Sequence, residues 1–171
     1  MDVERLAEVM ADEGTPLIRT DFADDHAWQR VIEAVSKPVD FDDPDNLEPG
    51  DDAYALYVVA IDDRTFEGVT GSSLGEAVTV TDGTAGYVLL ADARSMEELR
   101  AGSELTVDYV DLSVSSPEDA ELFDSFLGRT FRCAVSEIAS IEANLSIANM
   151  DFGEFADNTD PDGVFRGFHD A

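Results

Sequence analysis

Lysine is almost absent from this chain of 171 residues: Lys37 stands alone beside nine arginines. Aspartate and glutamate together number 39, so the formal net charge is −29. Without a basic patch to displace counterions from phosphates, we expect no direct binding of nucleic acid. The shortage of basic residues therefore disfavours a function that requires contact with nucleic-acid phosphates.

Cysteine and histidine are also scarce. Cys133 is the single cysteine, so no intrachain disulfide can form, and a reducing cytoplasm is the expected location. Cys133 lies among apolar residues of a predicted strand, which favours a core position over a nucleophile. His26 and His169 have no second histidine at metal-ligand spacing, so a zinc site is not predicted and no cofactor is expected.

Long apolar runs and sequence signatures of catalysis are missing too. The longest apolar run, Leu56–Ile61, is far shorter than the roughly 18 residues of a membrane helix, and residues 1–14 lack the pattern of a secretory signal. We therefore expect no membrane association. No G-x-S-x-G, P-loop or G-x-G-x-x-G pattern occurs, so hydrolase, nucleotide-binding and dinucleotide-binding functions lack their usual signatures.

The acidic residues themselves allow two interpretations. One is the acidic surface of a protein from concentrated salt, where a Debye length of about 3 Å screens the self-repulsion. The other is a mimic of nucleic-acid phosphates. The acids are spread along the whole sequence, whereas a mimic needs only one acidic face. This distribution favours salt adaptation.

The spacing of apolar residues predicts alternating strands and helices. Leu17–Thr20 is predicted to be the first strand, and Trp28, Val31, Ile32 and Val35 then recur at the period of an amphipathic helix. The alternation continues to the C-terminus and indicates an α/β fold. We predict a single α/β domain over residues 15–171, with a mainly parallel or mixed sheet of about five strands flanked by helices. Residues 1–14 would form an acidic N-terminal arm or short helix.

Several segments have expected positions in this fold. Tyr54–Ile61 is apolar at both alternating sets of positions, which is typical of a central strand covered on both faces. Leu105–Tyr109 alternates, so this strand is expected near a sheet edge. Gly86–Ala91 is a further buried strand, and residues 77–84 form either a hairpin with it or a loop. The acidic, proline-rich segment Pro38–Asp52 is expected to be a solvated connector.

A later helix is predicted to begin at Pro117 and to end at Gly128. Within it Leu122, Phe123 and Phe126 are expected to face inward, since large apolar side chains are usually buried.

The segment from Phe131 to Phe168 has the highest density of aromatic residues. It contains half of the ten phenylalanines, interleaved with capping and turn residues, and Asp151 and Glu154 have the spacing of a capping box. Burial of each phenylalanine is worth about 1.5–3 kcal/mol, so the segment is expected to dock on the core as a C-terminal helical element.

Four residues form a candidate polar site: Asp21, Asn149, Asp151 and Arg166. Asp21 follows the first strand, at the carboxyl edge of the predicted sheet, where α/β proteins bind ligands. The alternative is that Asp21 caps the next helix, and its neighbours favour this alternative. Asn149, Asp151 and Arg166 belong to the aromatic C-terminal segment and would line the same pocket in an enzyme or small-ligand binder.

A weak candidate for calcium binding lies at Asn158, Asp160 and Asp162, which precede Gly163 at the spacing of a calcium loop. The pattern then fails, because its twelfth position is His169 where calcium loops have glutamate. An Asp-Pro-Asp-Gly turn explains the same residues and is favoured.

Two stretches resemble a family of small prokaryotic proteins that share a domain of unknown function. The early stretch is Pro16–Phe22 with Ala27 and Trp28; the late and more specific one is Asn144–Asp157 with Asp162–Phe168. The resemblance spans residues 15 to 168. It implies no established activity, cofactor or partner, but it marks the late stretch as the first place to look for function.

Three hypotheses of function follow. The favoured one is a non-enzymatic interaction or regulatory domain, with an unidentified protein partner, in the cytoplasm of a salt-adapted organism. The alternatives are an enzyme or small-ligand binder with a polar site near the C-terminal motif, and an acidic nucleic-acid mimic. The sequence leaves the oligomeric state open.

The charge generates a first prediction. If the acidic residues are an adaptation to salt, the free energy of unfolding should rise by several kcal/mol between about 0.1 M and about 2 M KCl, because screening removes self-repulsion. Thermal melts across this range measure the effect. A melting temperature that stays flat would contradict salt adaptation.

Overall fold

The computed structural model describes residues 1–11, 14–42, 53–78 and 86–169. The helices are α1 (Val3–Ala11), α2 (Asp25–Val35), α3 (Gly71–Ala77), α4 (Ala93–Ala101), α5 (Pro117–Leu122), α6 (Ile138–Ser146) and α7 (Phe152–Ala156). The strands are β1 (Thr15–Arg19), β2 (Val58–Ile61), β3 (Tyr87–Ala91), β4 (Thr106–Asp111), β5 (Thr130–Ala134) and β6 (Val164–Phe165).

The six strands form one mixed sheet in the order β2-β1-β3-β4-β5-β6. The pairs β1–β2, β1–β3 and β5–β6 are parallel, whereas β4 runs antiparallel to β3 and β5. The predicted α/β fold with a mixed sheet is confirmed; the short β6 is the strand beyond the expected five.

Helices cover both faces of the sheet, which separates two apolar cores. On one face, α2, α4, α6 and α7 pack on β4 and β5 around Trp28, Tyr109 and Ile141. On the other face, α1 and α3 cover Ile18 and Val110. Alternation along β1, β3 and β4 supplies both cores from the same strands.

Two positions in the sheet differ from expectation. β2 is an edge strand and is mostly half-buried, although its sequence is apolar throughout. β4 is central and nearly fully buried, because it lies between β3 and β5. The predictions of a central Tyr54–Ile61 and of an edge position for Leu105–Tyr109 are therefore wrong. Strand order depends on contacts between distant segments, which alternation within one strand does not report.

Parts of two other predictions lie outside the described residues. Of the expected connector Pro38–Asp52, only residues 38–42 are described; Val39 forms an antiparallel bridge with Tyr54, which lies beyond the connector. Of the segment 77–84, only its first two residues are described: α3 ends at Ala77, and Val78 is its C-cap.

The C-terminal segment docks on the core as predicted. Phe131 of β5 lies at the centre of an aromatic cluster, with ring centroids 4.9 Å from Phe152, 6.4 Å from Phe155 and 6.1 Å from Phe165. Phe165 pairs through β6 with the end of β5 and is buried. The predicted capping box is supported at α7, where the Asp151 N–H donates to the Glu154 carboxylate at 2.8 Å.

Among the described residues, no helix has the length and apolar character needed to cross a membrane.

The aromatic cluster yields a matched pair of substitutions. Phe165→Ala should cost about 3–5 kcal/mol of unfolding free energy, because it removes a buried ring and leaves a cavity. Phe168→Ala should cost about 1 kcal/mol or less, since Phe168 is 50% exposed although its ring lies 5.1 Å from that of Phe165. Urea unfolding of both variants measures the difference. Equal losses would show that the segment does not dock through β6.

Candidate functional site

The topology creates a cleft at the carboxyl edge of the parallel strands. From β1 the chain passes to β2 on one side and then returns to β3 on the other, so the space between β1 and β3 is a topological switch point. A cleft of about 370 Å³ opens there, and its polar lining includes Thr20, Asp21, Thr70, Asp92 and Asp108. Fold geometry alone makes this switch-point cleft the first place to examine.

Arg132 of β5 lies behind the carboxylates of this cleft. Its guanidinium donates to Asp92 at 2.8 Å, to Asp108 at 3.1 Å and to the Thr106 hydroxyl at 2.5 Å. Asp92 is also the N-cap of α4 and accepts from the Ser95 N–H at 3.0 Å. One arginine thus joins β3, β4, β5 and the start of α4.

The two aspartates of this network respond differently to their surroundings. Burial raises the pKa of Asp108, and its pairing with Arg132 offsets this only in part. Burial also pushes the pKa of Asp92 upward, but hydrogen bonds from Arg132 and Ser95 outweigh it, so the pKa lies below its ordinary value. Divergent pKa values are found at acid–base sites, but structural ion pairs produce them as well. Because Arg132 engages both carboxylates, the contacts favour a structural role.

The four residues of the predicted polar site lie apart in their contacts. Asp21 lines the switch-point cleft. The Asn149 amide donates to the side-chain oxygen of Asn144 at 2.7 Å, and Asp151 is the N-cap of α7. Arg166 forms ion pairs with Glu104, Asp160 and Asp162 and with none of the other three residues. Hydrogen bonds and ion pairs among the described residues do not join these four side chains, and their role in ligand binding stays a prediction.

The candidate calcium segment is organised around Arg166. The guanidinium contacts Asp160 and Asp162, each at 2.8 Å, and Glu104 at 2.6 Å, and its hydrogen bonds hold the pKa of Asp162 at about 2. The Asn158 amide donates to the Glu154 carbonyl. Within the described ranges, no three acidic, histidine or cysteine side chains are placed to hold a metal ion. The geometry is that of a turn closed by an arginine.

A group of exposed apolar side chains lies after β4, at the opposite end of the strands from the switch-point cleft. Leu122, Phe123 and Phe126 are exposed by 73%, 42% and 60%, within five residues of chain. The prediction that these side chains face inward is wrong, because α5 already ends at Leu122 and the chain then turns. We call these three residues the α5 apolar surface.

Asp111, at the end of β4, fixes the turn that follows α5. Its carboxyl group is buried and accepts from the Ser125 hydroxyl at 2.6 Å and from the Ser113 N–H and hydroxyl at 2.8 and 2.6 Å. Its backbone accepts from Gly128 N–H at 2.7 Å and donates to the Arg129 carbonyl at 2.9 Å. Ser125 is therefore drawn inward, between two exposed phenylalanines.

Glycines hold the same turn against α3. A Cβ on Gly128 would lie 2.6 Å from the Gly71 carbonyl oxygen, and one on Gly75 would lie 2.5 Å from the Leu127 carbonyl oxygen. Such distances are too short for real contacts, so these positions require glycine. The backbone of the turn thus packs directly on the backbone of a helix.

The backbone at Asp124 carries strain. Its φ is +44°, a left-handed conformation that non-glycine residues seldom adopt. Such a conformation persists only where surrounding contacts impose it, and it costs of the order of 1–3 kcal/mol. Here it separates Phe123 from Phe126 and directs the chain back to Asp111.

The C-terminal motif supports the turn from a third side. Arg129 donates to the Asp124 carbonyl and forms an ion pair with Asp157 at 2.6 Å. Gly153 of α7 lies beneath it, since a Cβ there would be 3.1 Å from the Arg129 guanidinium. A shallow cleft of about 290 Å³ between Phe126, Arg129 and Asp157 adjoins the α5 apolar surface.

The local sequence carried no signal of this arrangement. Leu122, Phe123 and Phe126 stand at i, i+1 and i+4, which is one face of a helix, so periodicity alone favours their burial. The hydrogen bond from Ser125 to Asp111, 14 residues away, has no local pattern either.

These observations define a single-domain α/β protein with an open mixed sheet and helices on both faces. The chain belongs to the family described as a domain of unknown function (DUF6924), whose model matches residues 14–168. The resemblance found in the sequence is thus confirmed. Neither the search of curated proteins nor that of solved structures gave a match.

The Arg132 network yields a prediction about its two aspartates. Asp92→Asn should cost about 1–2 kcal/mol near neutral pH, with solvent screening part of the lost charge interaction. Asp108→Asn should cost less or nothing, because burial already disfavours its charged form. Urea unfolding of both variants measures this order.

The contributions of Asp92 and Asp108 to the free energy of unfolding change with pH in opposite directions. The pKa of Asp92 is lowered by folding, so its contribution is present above about pH 4 and is lost as the pH falls through the folded-state value. The pKa of Asp108 is raised, so Asp108→Asn should gain stability relative to the unsubstituted protein as the pH rises through the folded-state value. A larger loss from Asp108→Asn at neutral pH would contradict the structural assignment.

Proposed function

We propose that this protein is a non-enzymatic interaction domain of a salt-adapted cytoplasm, which binds a protein partner through the α5 apolar surface. The observation that carries the proposal is the exposure of three large apolar side chains on a turn that buried contacts hold in place. Leu122, Phe123 and Phe126 are exposed while Ser125 between them is buried.

The energetics of this arrangement favour association. Burial of each such side chain is worth about 1.5–3 kcal/mol, and folding leaves this free energy unrealised at three neighbouring positions. Single exposed apolar residues are ordinary, whereas a group of them marks an interaction site. Aromatic residues on a fixed backbone are typical anchors of protein interfaces, since they lose little conformational entropy on binding.

Concentrated salt makes an apolar contact a suitable one. Molar salt screens charge interactions beyond about 3 Å, so long-range steering contributes little and exposed charges act only where they come into contact. Salts that are excluded from the protein surface strengthen the burial of apolar area. A partner bound through phenylalanine and leucine side chains would therefore remain bound where ionic contacts weaken.

Several side chains of the types that enzymes use in catalysis are buried or paired within the domain. Burial raises the pKa of the Cys133 thiol, and burial together with Glu142 raises that of the Tyr109 hydroxyl well above its ordinary value. Arg132 pairs with both Asp92 and Asp108 at the switch-point cleft. These contacts support a binding function over an enzymatic one.

The distribution of acids supports salt adaptation over phosphate mimicry. Glu4 and Glu8 are exposed on α1, and Asp25 and Glu33 are exposed on α2. Since α1 and α2 cover opposite faces of the sheet, the acidic surface is not confined to one side. A mimic of a nucleic-acid backbone needs its carboxylates on one face.

Site-specific photo-cross-linking in the source cells tests the proposal. A benzophenone-bearing phenylalanine at position 126 should give a cross-link to a defined protein, whereas the same group at position 57 should not. Tyr57 is a matched control, because it is 63% exposed but adjoins β2 at the far end of the sheet. Excess purified domain should compete for the cross-link, and the Phe126→Ser variant should not. Equal cross-linking from both positions, or none from position 126, would contradict the proposal.

A further inference from the structure

We infer that the partner presents an apolar centre bordered by lysine and arginine side chains. This inference rests on the proposed function and adds the chemistry of the partner to it. The α5 apolar surface lies among carboxylates that the protein itself leaves without counter-charges, and this local charge pattern decides what can approach.

The bordering carboxylates are Glu118, Glu121 and Asp124. All three residues are exposed, and no ion pair within the described ranges engages their side chains. Asp119 beside them donates its backbone N–H to the hydroxyl of Ser116, the N-cap of α5, and its carboxylate accepts from the Ser115 hydroxyl. The stretch from Glu118 to Asp124 thus has four acids and no basic residue.

At two other places a pair of acids shares one arginine: Asp160 and Asp162 share Arg166, and Asp92 and Asp108 share Arg132. The basic residue nearest in sequence to the α5 apolar surface is Arg129, and its guanidinium is paired with Asp157. Among the described residues, no ion pair therefore neutralises the carboxylates that border Leu122, Phe123 and Phe126.

A partner that buries these apolar side chains must also approach the three carboxylates. Basic residues at the border gain from this field, whereas acidic residues there are repelled. The charges then act at contact distance and discriminate against acidic borders, while the apolar centre supplies most of the affinity.

A second copy of the chain is a disfavoured occupant of the α5 apolar surface, because it too is acidic. A twofold dimer through this surface would bring identical carboxylates together, between molecules that each carry a net charge of −29. A basic partner avoids this repulsion.

A designed peptide provides a defined probe. The peptide is an amphipathic helix with leucine and phenylalanine on one face and lysine and arginine on both borders of that face. One comparison peptide keeps the apolar face and has glutamate borders. Another has the composition of the basic peptide in scrambled order, and it measures the non-specific attraction of basic peptides to an acidic protein. Calorimetric titration gives each dissociation constant.

The dissociation constant of the basic-bordered peptide should be at least about tenfold higher for the Leu122→Ser/Phe126→Ser variant than for the unsubstituted protein. The scrambled peptide should not distinguish the two proteins. The Tyr57→Ser variant should bind as the unsubstituted protein does. Thermal melts serve as the folding control, and the double variant should melt normally because both side chains are exposed.

Charge is tested by Glu118→Gln/Glu121→Gln. This variant should bind the basic-bordered peptide several-fold more weakly at about 0.1 M KCl, and the difference should shrink at about 2 M, where only charges in contact still interact. If the glutamate-bordered peptide binds as tightly as the basic one, or if the charge variant has no effect at low salt, the inference about the partner is wrong.

Further outcomes separate this inference from the proposed function. A position-126 cross-link to a partner combined with charge-independent peptide binding would overturn the inference and leave the interaction domain standing. A dimer detected by light scattering that Leu122→Ser/Phe126→Ser converts to a monomer would identify a second copy as the occupant and overturn the inference. Absence of the cross-link contradicts the proposed function itself.

Discussion

One buried carboxyl group, that of Asp111, determines how the second half of the domain is arranged. It lies at the end of the central strand β4, and within the described residues no cation pairs with it. Its partners are the hydroxyls of Ser113 and Ser125 and one backbone N–H. Burial of a polar group is costly unless every hydrogen bond is made, so the residues on both sides of Asp111 must hold their positions. The chain leaving β4 and the chain entering β5 are thereby tied to one side chain.

The contacts of Asp111 also affect the exposed surface after α5 and its link to the aromatic C-terminal segment. Because Ser125 points inward to Asp111, Phe123 and Phe126 on either side of it remain in solvent. The glycine contacts with α3 and the link from Arg129 to Asp157 hold the same turn from two further directions. The C-terminal motif, whose rings pack around Phe131, thus serves the core and also supports the exposed turn. This connects the aromatic C-terminal segment with the surface proposed to bind a partner.

The sequence predicted the features that depend on local pattern. The buried strand β3, the apolar stripe of α2 and the docking of Phe152, Phe155 and Phe165 follow from periodicity and from the free energy of aromatic burial. The positions of β2 and β4 in the sheet did not follow, since strand order depends on contacts far apart in sequence. The α5 apolar surface was predicted to be core, because the rule that large apolar residues are buried is statistical. Its true direction is set by the distant Asp111 and by a strained Asp124, and neither effect has a local pattern.

The central claim is that the turn after α5 is rigid before any partner binds. Backbone ¹⁵N relaxation of residues 123–129 in the free protein measures this most directly, with Asp111→Ala as the comparison. The account predicts order parameters of about 0.85 for the turn in the unsubstituted protein, equal to those of the neighbouring strands, and a marked fall in the variant. Order parameters below about 0.6 in the unsubstituted protein would show that the apolar side chains are exposed by mobility and would contradict the account.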